Sequence, residues 1–133
     1  MTIKEKSTLA KLLATENISV EYSKISTAAF NPKTRTLYCP IWKDMSNDLH
    51  DLLLGHEVGH AHETPAEGWH DAVCEKGLKY KGFLNVIEDA RIEKKIKRRY
   101  PGLKKSFRNG LKSLWIKNSL VIVMIYNLLI KLI

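Results

Sequence analysis

The sequence predicts an α+β fold, mainly helical, with one domain over residues 1–116 and an aliphatic stretch at 117–133. Three observations carry that expectation. Two segments, 46–65 and 83–102, place apolar residues at helical spacing between capping and stop signals. A β-branched and aromatic segment at 18–42 surrounds a turn signal. A chain of 133 residues with 44% hydrophobic content supports one modest core rather than two.

Ser7 to Glu16 reads as a short amphipathic helix, with Leu9, Leu12 and Leu13 on one side and Ser7 or Thr8 as its cap. Asn31-Pro32-Lys33-Thr34 then marks a hairpin between a strand near 25–30 and one near 35–41 that ends at Pro40. Ser46 or Asn47 caps the next helix, and Thr64-Pro65 stops it. Residues 65–81 read as a loop or short helix carrying Trp69, His70 and Asp71. A second long helix runs from Phe83 to about Arg99 and closes at Tyr100-Pro101-Gly102. The stretch Leu120 to Ile133 is nearly all aliphatic, yet shorter than the roughly 20 residues that span a bilayer, so a membrane is not an expected partner. It reads as a packing helix or, because its composition breaks with what precedes it, as a truncated or non-native end.

Charge is divided unevenly. Of the 22 Lys and Arg residues, 11 lie from Lys94 onward, and all 14 acidic residues lie at or before Glu93. Cys39 and Cys74 form no Cys-x-x-Cys pair. Two thiols in a chain whose start lacks an apolar run fit a reducing cytoplasm.

The chemistry centres on His56-Glu57-Val58-Gly59-His60. Residues four apart stack on one helical face, so both imidazoles can close on one Zn²⁺, with Glu57 beside them as general base. Leu49, Leu52 and Leu53 lie on the same side and would aim that face inward. A third protein ligand is required. The extended form with a glycine three residues after His60 and a histidine six after is excluded, because Glu63 and Ala66 stand there. His62 points to another side of the helix and reads as a surface residue. Glu88 is the expected ligand, on a helix whose apolar side is Leu84, Ile87, Ile92 and Ile96; the competing account is an ordinary pair with Arg91. Asn85 and Arg91 share the face of Glu88, and Asp89 could accept a ring N–H from His56 or His60. His70 is a fallback ligand and, with Tyr80 and Tyr100, a candidate oxyanion donor.

His56-Glu57-x-x-His60 followed by Glu88 resembles the gluzincin class of zinc metallopeptidases, in particular their compact minigluzincin members. The runs Leu54-Gly55-His56-Glu57-Val58-Gly59-His60-Ala61 and Asn85-Val86-Ile87-Glu88-Asp89-Ala90-Arg91-Ile92-Glu93 are similar to those of tailed-phage metallopeptidase-like proteins that continue into a von Willebrand A-type domain. The resemblance covers about residues 20–110. It implies a zincin-like fold, a hairpin edge strand before the motif helix, ligands His56, His60 and Glu88, and Glu57 as base. It further implies a protein or peptide substrate, an assembly partner or von Willebrand A-type domain beyond the chain, and the host cytoplasm if phage-encoded. The aspartate that many gluzincins carry four residues after the glutamate ligand is replaced by Ile92, with Asp89 as a substitute.

A second reading takes the metal as structural or the site as inactive, in an assembly piece or a nucleic-acid-binding module. Lys94-Lys95, Lys97-Arg98-Arg99, Lys104-Lys105 and Arg108, with Tyr100 and Phe107 among them, would neutralise phosphates. The bland alternative for that run is a solvated helix face.

Overall fold

Thr2 opens the first helix, ahead of the expected Ser7. Its hydroxyl accepts the Glu5 N–H (3.3 Å) while the Glu5 carboxylate accepts the Thr2 N–H (2.6 Å), so two donors at the helix start are satisfied reciprocally. In the computed structural model, which describes residues 2–67 and 69–116, this helix is α1 (Ile3–Ala14). Ser7 and Thr8 lie inside it and bond back to the carbonyls of Ile3 and Lys4. Its buried stripe is Lys6, Ala10 and Ala14, and Leu12 faces out at 70% exposure.

Three strands follow: β1 (Ser19–Ser23), β2 (Ala29–Asn31) and β3 (Thr36–Pro40). The expected hairpin is β2–β3, antiparallel, with Phe30 opposite Leu37. Asn31 Oδ1 turns the chain by accepting the N–H groups of Lys33 (2.9 Å) and Thr34 (3.1 Å). β1 was not expected. It pairs parallel to β3, with Val20 opposite Leu37, and makes the order β1-β3-β2. The central strand buries Leu37 and Cys39, and the two outer strands are edges.

Ser46 caps α2 (Asn47–Glu63), its hydroxyl accepting the Leu49 N–H at 3.1 Å. α3 (Trp69–Lys76) and α4 (Leu78–Arg99) follow, then α5 (Leu103–Ile116), a helix not anticipated from the sequence. α2 is the hub against which α1, α4 and α5 pack. Two glycines permit the approach. A Cβ on Gly59 would stand 2.8 Å from Ile92 Cδ1 on α4, and one on Gly110 would stand 2.8 Å from the Asp48 carbonyl and from Leu52 Cβ. Leu49, Leu54, Val58, Ile96 and Phe107 fill the seam. Each such side chain contributes roughly 1.5–3 kcal/mol by leaving water.

Polar ties fix the layers. Lys6 is buried and ion-paired with Asp51, joining α1 to α2. Tyr22 Oη lies 3.1 Å from His50 Nε2, joining the sheet to α2. No helix among the described residues is long and apolar enough to cross a membrane. The 117–133 stretch lies outside the described residues.

Candidate metal centre

His56 and His60 stand one turn apart on α2, and their ring centroids are 5.0 Å apart at 76°. α4 crosses them at Gly59, where the missing side chain lets Ile92 seat against the helix. That contact sets the rotation of α4, and Asp89 is the residue it presents to the rings. Asp89 Oδ1 lies 3.6 Å from His56 Nε2 and 3.2 Å from His60 Nε2. The ligand atoms of the three residues all lie within 4.8 Å of one another.

The far side of each ring is held. His56 Nδ1 is 2.8 Å from Glu93 Oε1, a carboxylate almost completely buried on α4. His60 Nδ1 is 2.8 Å from Thr64 Oγ1, whose hydroxyl donates in turn to Glu88 Oε1 at 2.7 Å. With Nδ1 of each ring tied outward, both Nε2 atoms face the Asp89 carboxylate. Two imidazole nitrogens and a carboxylate oxygen grouped in this way could hold a metal ion. Bonds of about 2.0–2.2 Å in a tetrahedral site separate ligand atoms by about 3.4 Å, and the two distances to Asp89 Oδ1 lie on either side of that value.

Glu88 does not stand at the rings. Arg91 Nε and Nη2 grip its carboxylate at 2.8 and 2.7 Å, and Thr64 takes the remaining bond. Glu88, the expected ligand, is held by these partners behind Thr64, which it steadies and through it His60. Asp89, expected to accept a ring N–H from His56 or His60, faces the Nε2 atoms of both rings. Arg91 also donates to the Glu63 carbonyl at 2.6 Å and so clamps the end of α2 to α4. Glu93 went unnoticed in the sequence, although it lies one turn beyond Asp89 on the same face.

Electrostatics follow from this packing. Burial opposes the charge on Asp89, but hydrogen bonds from His56 and His60 outweigh it and hold the carboxyl near 2. Burial likewise opposes charge on His56, and Asp89 and Glu93 overcome it, raising the imidazole well above its ordinary value. Burial raises the Glu57 carboxyl, with the two histidines pulling the other way. Burial raises Glu88 as well, and the bonds from Arg91 and Thr64 win, leaving it lowered.

His56, His60 and Asp89 form the floor of a cleft of about 520 Å³ that Glu57 and Asn85 also line. Its walls are Ala29 and Phe30 of the edge strand β2, Leu52 and Leu53 of α2, and Leu111 and Leu114 of α5. His62 is elsewhere, with Nε2 2.7 Å from the Leu13 carbonyl. Tyr100 donates to that same carbonyl at 2.8 Å, and neither it nor Tyr80 belongs to the described lining. His70 lies on α3, and its side chain is outside the described residues.

Comparison with protein-family models, with curated proteins and with solved structures finds no match. The donor set must speak for itself.

Proposed function

We propose that this chain is a zinc-dependent metallopeptidase of zincin-like fold, with His56, His60 and Asp89 as ligands and Glu57 as general base. The observation that carries the reading is the convergence of two Nε2 atoms and one carboxylate oxygen, with Nδ1 of each ring held by Glu93 or Thr64. Two imidazoles and a carboxylate suit zinc, and outer partners of this kind fix tautomer and ring direction.

A bound zinc ion would supply what side chains lack, polarising a carbonyl and making a water acidic near neutral pH. The remaining work falls to the chain. Glu57 is buried beside the two ligands, and burial makes its carboxylate a stronger base than one in water. It takes the proton that the attacking water loses and returns it to the departing amide nitrogen. The free side of β2 offers an edge to which an extended peptide can add as a strand, directly above the floor of the cleft. The leucines of α2 and α5 accept an apolar side chain there.

The test is metal analysis together with cleavage of a quenched peptide library. The expected result is about one zinc per chain and chelator-sensitive cleavage. Glu57→Gln should keep the zinc and lose about 10²–10⁴-fold in rate. Zinc bound with no cleavage of any peptide, or cleavage untouched by Glu57→Gln, would reject the peptidase reading.

A further inference from the structure

α5 has two unlike sides. Phe107 is buried against α2, and Leu111 and Leu114 line the cleft. The opposite side carries Lys104, Lys105, Arg108 and Lys112, all exposed. Lys94 and Arg98 extend the charge onto the end of α4 and are exposed as well. Other cations of the region are engaged: Lys95 with Glu63 at 2.7 Å, Lys97 with Glu93 and the Phe107 ring, and Arg99 with His62. The six named first make no ion pair among the described residues, and no acidic residue follows Glu93 to dilute them.

We propose that this face docks on the phosphate backbone of nucleic acid, without reading base sequence. Lys104, Arg108 and Lys112 repeat at about 6 Å per four residues, with Lys105 alongside. A row of solvated lysines gains little from an acidic protein, because isolated exposed pairs contribute about 0–1 kcal/mol and an interface core needs buried anchors, which this face lacks. A lipid surface calls for apolar side chains beside the cations and free to insert, whereas the apolar side of α5 faces α2 and the cleft, away from its lysines. Nucleic acid differs because its charge density holds condensed counterions, whose release turns each neutralised phosphate into affinity. The inference is independent of whether the cleft hydrolyses peptides.

The test uses the full 133-residue chain and a fluorescein-labelled 30-base-pair duplex of arbitrary sequence, by anisotropy from 50 to 300 mM KCl. With four to six contacts, log K should fall against log[KCl] with a slope of about −3.6 to −5.4. Replacing Lys104, Lys105, Arg108 and Lys112 by Gln should flatten the slope by about 0.9 per charge removed. Lys94→Gln with Arg98→Gln should flatten it by about 1.8, so a second variant reports if the first is misfolded by circular dichroism. Glu57→Gln should bind as the parent does. No binding at 50 mM KCl, a slope that neither variant changes, or transfer from DNA to phosphatidylserine vesicles at equal phosphate overturns the proposal.

Discussion

Asp89→Ala and Glu88→Ala are adjacent changes on one helix, and the geometry assigns them different consequences. Asp89 supplies one of three converging ligand atoms and the only carboxylate oxygen among them. Glu88 supplies none and acts through Thr64 on the orientation of His60. Losing an outer partner of a metal ligand costs about 10–100-fold in affinity, or about 1.4–2.7 kcal/mol. Glu88→Ala should fall in that range, and Asp89→Ala should exceed its upper end. Folding should survive the first change, because Arg91 is left with a side chain 39% exposed to water, and a pair at that exposure contributes under about 1 kcal/mol. Competition against a chromophoric chelator at pH 7.5 measures both affinities, and unfolding in urea checks that each variant is folded. If Glu88→Ala empties the site while Asp89→Ala keeps its zinc, the rotation assigned to α4 is wrong.

Three further outcomes follow from the same contacts. Metal-free protein should be most stable between about pH 4 and 6.5: the raised His56 contributes fully below its ordinary 6.5 and is lost as pH climbs through its folded value, while the depressed Asp89 contributes above 3.8 and is lost as pH falls toward 2. Urea unfolding in a chelator at pH 3, 5.5 and 8 should show that maximum, which added zinc should displace upward because protons compete for the same ring atoms; a flat profile contradicts it. Gly110→Ala should cost about 1–3 kcal/mol, since the new methyl meets the Asp48 backbone carbonyl, and a denaturation midpoint equal to the parent's would refute that packing. Asp51→Ala should cost about 3–5 kcal/mol by stranding buried Lys6, whereas the double change Lys6→Met with Asp51→Leu should be near neutral in the same assay.

Much of this molecule was legible from short-range signals. Ser46 and Thr64 bounded α2 as expected, Asn31 announced the hairpin, and Tyr100 ended α4. β1 was missed because a parallel partner sits far along the chain and leaves no local mark. α5 was missed because its lysines hide an apolar side made by Leu103, Phe107, Leu111 and Leu114 at helical spacing. Glu88 stands away from the rings for a geometric reason. At about 100° per residue, a stripe averaged over Leu84, Ile87, Ile92 and Ile96 points along Glu88. Ile87 is 46% exposed and does not belong to that stripe, and Leu84 is only half-buried. Centred on Ile92 and Ile96 alone, the face places Glu88 on one flank, toward Thr64, and Asp89 on the other, toward the rings.

The polar bonds that hold the two imidazoles begin and end on α2, its cap residue Thr64, and α4. Because those bonds run directly from one helix to the other, a small turn of α4 about its axis would be handed to both rings at once.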